Sequence, residues 1–132
     1  GEMPYAEGKG DRQDLRLPTA DVALIRKAKQ TGAPVVTVLL SGRPLMLGEA
    51  LAASDAFVAA WLPGTEGQGV ADVLFGDFKP TGKLPRAWPR DQEHLPLRAD
   101  VRPQALFPFG FGLFFDSSRP ATGQVKTASV HR

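Results

Sequence analysis

The apolar run at residues 35–40 constrains the fold of this chain more than any other stretch of its sequence. All of its side chains are β-branched or aliphatic, and a single threonine is the one polar residue inside the run. Such an uninterrupted run is typical of a strand that is buried on both faces of a parallel sheet. Residues 56–61 repeat the pattern and are followed by Pro63 and Gly64. Two strands of this kind predict a domain of the α/β class.

Helical patterns alternate with these strands. Residues 20–30 carry apolar side chains at helical spacing and follow Thr19, a suitable N-cap. Further helices are predicted over 47–53 and over 66–75, and Gly76 ends the second of them. The order helix, strand, helix, strand, helix indicates parallel strands joined by right-handed crossovers. The predicted architecture is a three-layer α/β sandwich with a mostly parallel sheet and helices on both faces.

The C-terminal third has a different character. Residues 82–88 predict a strand that Pro85 confines to a sheet edge. Over residues 107–115, phenylalanine or leucine occupies every second position, with proline and glycines between. This period of two predicts an edge or antiparallel strand with one aromatic face on the core and backbone close to its other face. Residues 117–132 hold few apolar groups and are expected to form a flexible tail.

Composition argues against several kinds of site. The chain has no cysteine and two histidines, which disfavours disulfides, zinc, iron–sulfur clusters and thiol nucleophiles. Sixteen basic and fourteen acidic residues leave a net charge of +2 without a basic block, so nucleic acid is not an expected partner. The longest apolar run is too short to span a membrane. We therefore predict no metal, no cofactor and no membrane partner.

Glycine-rich segments imitate nucleotide-binding motifs without matching them. Gly64, Gly67 and Gly69 have the spacing G-x-x-G-x-G, whereas the dinucleotide fingerprint is G-x-G-x-x-G. Gly82 and Lys83 resemble the end of a P-loop but lack its first glycine and its final serine or threonine. No serine lies in the G-x-S-x-G turn of a hydrolase. Nucleotide binding and serine hydrolysis are both disfavoured.

Carboxylates in loops remain as candidates for chemistry. Glu2, Glu7 and Asp11 lie in an N-terminal loop that is expected to leave a strand upstream of this chain. Glu66 lies in the loop after the second strand. In parallel α/β domains the loops at the carboxyl ends of strands form the ligand crevice. A carboxyl group there acts as a general acid if an apolar environment raises its pKa, and is otherwise an ordinary solvated side chain.

Several segments resemble glycoside hydrolase family 3, the family of β-glucosidases and exo-β-glucanases. The matching stretches are G-E-x-P-Y-x-E-x-x-G-D at 1–11, S-G-R-P at 41–44, L-A-A-S-D-A-F-V-A-A-W-L-P-G at 51–64, E-G-x-G-V-A-D-V-L-F-G-D at 66–77, G-K-L-P at 82–85 and F-P-F-G-x-G-L at 107–113. Because they follow one another in order, residues 1–116 are identified as the latter part of that family's second, α/β-sandwich domain.

The resemblance implies part of a retaining, exo-acting β-glycosidase that hydrolyses β-glucosides or β-glucan oligosaccharides. In this family a (β/α)8 barrel carries the nucleophile, so that barrel is an expected partner and this chain alone is expected to be inactive or nearly so. Glu7 resembles in position the family's general acid/base, which gives and then takes a proton. Glu2 is expected to orient the loop or to bind sugar.

Other residues within the resemblance are expected to have structural roles. Arg43 is predicted to brace the domain by hydrogen-bonding loop carbonyls, and Trp61 to belong to the core. Asp55 follows a serine, as the family nucleophile does, but is predicted to bound the strand that starts at Ala56. Trp88 is expected at an interface or against the edge strand.

Some alternatives stay open at this point. A non-catalytic carbohydrate-binding or interaction module is the main alternative function, and a nucleotide-binding protein is a weaker one. A sheet edge that lacks its upstream strand is expected to cause self-association. Residues 1–132 carry no targeting segment. The compartment is therefore undetermined, and a periplasmic or secreted parent protein is compatible with the sequence.

Overall fold

The computed structural model describes residues 1–2, 10–95 and 105–113. Helices and strands alternate within these ranges. Their bounds are α1 Thr19–Lys29, β1 Val36–Leu40, α2 Gly48–Ala52, β2 Ala56–Trp61 and α3 Gly67–Phe75, followed by a short 3-10 helix at Gln92–His94. The helices and strands predicted before residue 76 are therefore confirmed, with each end displaced by at most one residue.

The two strands form a parallel pair. Val36 aligns with Ala56 at the start of the register, and α2 lies between the strands in the chain. Within the described ranges the sheet contains these two strands. Leu39 and Ala56 are buried, but Val36 and Leu40 at the two ends of β1 are exposed, so the predicted burial of this strand on both faces is wrong within the described residues. The α/β class is confirmed.

The register of the sheet shifts at its carboxyl end. Leu39 pairs with Ala59, but the next residue of β1 pairs with Trp61, so β2 contains one extra residue. Trp61 has a φ of 55°, in the left-handed region that bulky residues rarely adopt. The backbone N–H of Ser41 donates to the carbonyl oxygen of Trp61 at 3.1 Å. This bulge bends β2 at the end where ligand crevices form in parallel sheets.

The core lies beneath the turn that follows β1. Its buried members are Leu39, Leu45, Leu47 and Trp88. Trp88 is 2% exposed and its indole N–H donates to the carbonyl oxygen of Leu45. Trp88 therefore belongs to the core of the described structure, where it connects the C-terminal segment to the sheet.

Residues 82–88 do not form the predicted edge strand. Trp88 makes an isolated antiparallel bridge to Phe107. Four residues before Trp88, Leu84 also forms backbone hydrogen bonds to the segment that contains Phe107. Pro85 lies between these two points and has no N–H to donate, which interrupts continuous pairing. The strand prediction is wrong, although antiparallel pairing is present at single positions.

The aromatic series after residue 106 turns back on itself. Gly110 has a φ of 79°, and the N–H of Phe111 donates to the carbonyl oxygen of Pro108. Phe109 is 73% exposed at the tip, whereas the rings of Phe107 and Phe111 stack with centroids 4.6 Å apart. The predicted single aromatic face is wrong, because a glycine in the left-handed region permits a turn in place of an extended strand.

The close backbone approach expected in this series is confirmed at Gly112. A Cβ on Gly112 would lie 2.2 Å from the carbonyl oxygen of Gly82, far inside van der Waals contact. Three other predicted features lie outside the described residues: the interior of the N-terminal loop at 3–9, Phe115, and the tail over 117–132. In the part of the chain that is described, no helix is long and apolar enough to cross a bilayer.

Candidate functional site

Glu2 lies beside the carboxyl end of β1. Its backbone N–H donates to the carbonyl oxygen of Leu40 at 2.8 Å, so the chain passes the last residue of the strand at this point. The Glu2 side chain is 12% exposed. Because ligands of parallel α/β sheets bind beyond the carboxyl ends of the strands, the N-terminal loop begins at the edge where a site is expected.

Arg43 binds both ends of the N-terminal loop. Its Nε donates to Oε1 of Glu2 at 3.1 Å, and its Nη2 donates to the carbonyl oxygen of Gly10 at 2.5 Å. The guanidinium is a rigid planar fork, so these two contacts fix the separation of their acceptors. The expected contact of Arg43 with a loop carbonyl is confirmed at Gly10. The sequence did not predict the ion pair with Glu2.

The turn that carries Arg43 is fixed to the sheet by Ser41. Ser41 is 1% exposed, and its hydroxyl donates to the carbonyl oxygen of Arg43 at 2.8 Å. Its backbone N–H is bonded to Trp61 across the sheet. A serine that bonds the backbone two residues ahead stabilises a local turn. The S-G-R-P stretch thus forms a braced turn, and Arg43 extends from it to the N-terminal loop.

The two carboxylate oxygens of Glu2 differ in their partners. Oε1 lies 3.1 Å from Nε of Arg43 and 3.4 Å from Nη2 of Arg12. Oε2 is buried and has no hydrogen-bond partner in the described part of the chain. Two cations beside a mostly buried carboxylate offset the loss of its hydration. The arrangement suits a structural ion-pair cluster that holds Glu2 in one position.

The carboxylates singled out in the sequence have different surroundings. Glu7 lies outside the described residues. Asp11 follows Gly10 within the same N-terminal loop and is exposed. Glu66 is exposed in the loop after β2, where its Oε1 accepts a hydrogen bond from the hydroxyl of Thr65 at 3.2 Å. The structure therefore brings Glu2, but not Glu66, into the ion-pair cluster of Glu2, Arg12 and Arg43, which we call the Arg43 cluster.

A groove of about 520 Å³ opens at the same edge of the sheet. Its walls are Gly42, Arg43, Pro44, Trp61, Pro85 and Arg86. The Trp61 ring packs against the buried Trp88 ring with centroids 5.9 Å apart, which agrees with its expected core role. Sequence reasoning missed the groove because its walls come from three separate segments, and no motif connects them.

A second cavity, of about 480 Å³, lies between β2, α3 and the turn around Gly110. Its lining is mostly apolar and includes Phe57, Val70, Val73, Phe107 and Phe111. Glu66 and Lys83 are the charged residues among the side chains that line it. In the described ranges, no three His, Asp or Glu side chains lie close enough to bind a metal ion. Within the described ranges, the charged side chains that contact one another at the carboxyl end of β1 are Glu2, Arg12 and Arg43.

Asp55 bounds β2, as predicted, and lies outside the Arg43 cluster. Its carboxylate accepts hydrogen bonds from Nζ of Lys29 at 2.6 Å and from the N–H of Val35 at 2.7 Å. The Lys29 bond first, and the Val35 bond second, lower the pKa of Asp55 below its ordinary value of 3.8. Asp55 therefore connects α1, β1 and β2 as a carboxylate.

The four loop carboxylates singled out in the sequence lie within the part of the chain that matches one family's domain. The family model of the glycosyl hydrolase family 3 C-terminal domain matches residues 1–115. That range contains Glu2, Glu7 and Arg43, together with all the helices and strands described above.

Individual relatives agree with this match. A periplasmic beta-glucosidase of Salmonella typhimurium is 35% identical over 83% of this chain and 17% of its own length. A xylan 1,4-beta-xylosidase of Xylanibacter ruminicola is 36% identical over 97% of this chain and 16% of its own length. Among solved structures, an exo-1,3/1,4-beta-glucanase from a Pseudoalteromonas species has a TM-score of 0.78 at 42% identity, over 97% of this chain and 17% of that one. The chain spans about a sixth of the length of the proteins it matches.

Proposed function

The chain belongs to the C-terminal domain family of family 3 glycoside hydrolases, and on this premise we propose that it supplies the acid/base loop of a retaining, exo-acting β-glycosidase. The substrates are β-glucosides or β-glucan oligosaccharides, and the partner is the family's (β/α)8 barrel. Similarity to an exo-1,3/1,4-beta-glucanase over 97% of the chain supports this substrate class. Residues 1–132 alone are inactive in this proposal, because the nucleophile lies on the barrel and positioning supplies much of the catalysis.

The observation that carries the proposal is the position of the two described ends of the loop. Glu2 and Gly10 both contact Arg43 at the carboxyl end of β1. Glu7 is three residues from Gly10, and three extended residues span at most about 11 Å. This chain length sets an upper limit on the distance between the Cα atoms of Glu7 and Gly10. A glycosidic oxygen of a substrate that the barrel holds near this edge of the sheet can then receive the proton of Glu7.

Glu7 acts twice in the proposed reaction. As an acid, it gives its proton to the glycosidic oxygen while an aspartate of the barrel attacks the anomeric carbon and the bond to the leaving group breaks. As a carboxylate, it takes a proton from the water that attacks the same carbon and releases the aspartate. Glu2 orients the loop in this proposal, since its Oε1 is already engaged by two arginines.

The test replaces Glu7 in the enzyme that joins this chain to its barrel. Glu7→Ala should lower kcat/KM for laminari- and cello-oligosaccharides by about 10²–10⁴-fold, since an alkoxide leaving group needs the proton. The loss for a nitrophenyl β-glucoside should be smaller, because nitrophenolate leaves without it. Added azide should restore turnover and yield a β-glucosyl azide. Glu66→Gln is the matched control and should retain activity, because Glu66 is exposed and lies outside the Arg43 cluster.

Each part of the proposal has its own contrary result. Near-parent activity of Glu7→Ala on oligosaccharides would move the acid/base to another carboxylate, with Glu2 and Glu66 next to be replaced. An α-configured first product, seen by NMR, would exclude retention. Cleavage inside long chains would exclude exo action. Preference for β-xylosides would replace β-glucosides as the proposed substrates and would agree with the names of the xylosidase relatives.

A further inference from the structure

Both ends of the loop at residues 3–9 are bound by one side chain. Arg43 donates from Nε to Glu2 on one side of the loop and from Nη2 to the Gly10 carbonyl on the other. Arg43 is 41 residues from Glu2 and 33 residues from Gly10 in the chain. A single rigid guanidinium therefore connects two points that are otherwise joined along the chain only by the seven residues between them.

The contacts of Arg43 are made in a partly desolvated setting. The side chains of Arg43 and Glu2 are 20% and 12% exposed. Charge-assisted hydrogen bonds are stronger than neutral ones, and partial burial weakens the screening that makes exposed ion pairs ineffective. A lysine at position 43 presents one ammonium in place of two separated donors, so it cannot reproduce both contacts in the same geometry.

The backbone on each side of the loop is anchored independently of Arg43. On the N-terminal side, Glu2 donates its N–H to Leu40 at the end of β1. On the C-terminal side, the N–H of Met46 donates to the carbonyl oxygen of Leu15 at 2.8 Å. Loss of the Arg43 contacts would therefore free the loop between these anchors without detaching it from the domain.

We propose that Arg43 is a positioning residue that holds the acid/base loop at the end of β1, with Glu2 as its partner in the loop. The inference rests on the proposed role of Glu7. A general acid must lie within hydrogen-bond reach of the leaving-group oxygen, and a misplacement of about 1 Å can lower the rate by up to about 100-fold. The Arg43 contacts fix the positions of Glu2 and Gly10, the residues between which the proton donor lies in the chain.

The first test uses leaving groups that differ in their need for a proton. In the enzyme that joins this chain to its barrel, Arg43→Met should lower kcat for oligosaccharides by up to about 100-fold with little change in KM. The loss for a nitrophenyl β-glucoside should be smaller. Arg43→Lys should behave like Arg43→Met. Glu2→Gln should cause a smaller loss than Glu2→Ala, because its amide oxygen still accepts from Nε although the charge that pairs with Arg43 and Arg12 is gone.

The matched control is Arg86→Met. Arg86 lines the groove beside Arg43, and within the described structure it makes no hydrogen bond to Glu2 or Gly10. Its replacement removes the same charge from the same edge of the sheet. It should leave the ratio of activities on the two kinds of substrate unchanged.

Two further measurements separate positioning from a general structural effect. In a Glu7→Ala background, Arg43→Met should add little further loss of kcat/KM, because it acts through the residue already removed. Hydrogen–deuterium exchange of the amides at 3–9 should accelerate in Arg43→Met, while exchange in β1 and β2 stays as in the parent protein. If Arg43→Met does not fold, Glu2→Ala carries the same measurements.

The outcomes distinguish this proposal from the one it rests on. Unchanged exchange at 3–9, or equal losses for both kinds of leaving group, would overturn the positioning role of Arg43. Additive losses in the double variant would overturn it as well. If Glu7→Ala is fully active while Arg43→Met still accelerates exchange at 3–9, the acid/base assignment fails and the contact between Arg43 and the loop stands.

Discussion

The indole nitrogen of Trp88 donates a hydrogen bond to the backbone carbonyl oxygen of Leu45 at 2.8 Å, and both residues are almost completely buried. Leu45 lies two residues after Arg43, in the segment that follows the S-G-R-P turn. The bond therefore connects the C-terminal part of the domain to the turn that supports the candidate site. It also satisfies a carbonyl group that has little access to water.

Replacement of Trp88 by phenylalanine tests this bond. Trp88→Phe keeps an aromatic ring in the core but leaves the Leu45 carbonyl without its donor, so the free energy of unfolding should fall by about 1–3 kcal/mol. Urea denaturation followed by circular dichroism measures the change. Phe109→Ala is the control, since Phe109 is 73% exposed and its loss should change stability by less than about 0.5 kcal/mol. Equal stability of Trp88→Phe and the parent would contradict the importance of the bond.

Gly112 should not tolerate alanine. Its Cβ would meet the Gly82 carbonyl oxygen at 2.2 Å and the Lys83 side chain at 2.8 Å, and a backbone oxygen cannot move aside easily. Gly112→Ala should therefore lower the free energy of unfolding by about 1–3 kcal/mol. Gly69→Ala is the matched control within α3, where a Cβ has no neighbour within 4 Å. It should stabilise the helix by up to about 1 kcal/mol. The midpoints of thermal and urea unfolding should therefore fall for Gly112→Ala and rise for Gly69→Ala.

Asp55 should contribute to stability in a pH-dependent way. Its pKa in the folded chain lies below 3.8 because of the bonds from Lys29 and Val35. The folded state thus favours the charged form, and the stabilisation is present above pH 3.8 and disappears as the pH falls through the lower folded pKa. Urea midpoints measured from pH 7 down to pH 2 should fall less steeply in Asp55→Asn. Lys29→Gln should reduce the slope in part, because the Val35 bond remains. Parallel curves for all three proteins would refute this role of Asp55.

Residues 1–132 should self-associate through the edge of β1. The described sheet has two strands, and Val36 on β1 is 52% exposed. Edge strands with exposed apolar side chains pair readily with other copies. Sedimentation velocity should show a mass that rises with concentration, and Val36→Lys should suppress the rise. Leu24→Lys, which charges an exposed apolar position of α1, should not. A clean monomer of the parent chain at high concentration would rule the prediction out.

The elements before residue 76 were predictable because their signals are local. A continuous apolar run such as β1 specifies a strand, and helical spacing specifies α1 and α3. Thr19, the expected N-cap, is instead the first residue of α1. Gly76 adopts a φ of 90° at the end of α3, as expected for a glycine that terminates a helix. In each case the deciding interactions lie within a few residues of one another, so the order of residues contains the information.

The region after residue 81 was not predictable in the same way. The period of two around Phe109 is a genuine strand signal, but Gly110 permits either an extended or a left-handed conformation. Contacts with Gly82 and Leu84, far back in the chain, selected the turn. The local pattern of residues carries no information about contacts with distant parts of the chain. It therefore predicted a strand where the chain forms a turn.

For the candidate site, the sequence by itself determined the family, the loop that holds Glu2 and Glu7, and the turn that holds Arg43. Only the tertiary structure decided that Arg43 joins Glu2 to Gly10, across 41 and 33 residues of chain. Spacing along a chain constrains which residues share a turn or a strand face. It does not constrain the distance between side chains on separate loops, because that distance depends on how β1, β2 and their turns pack together.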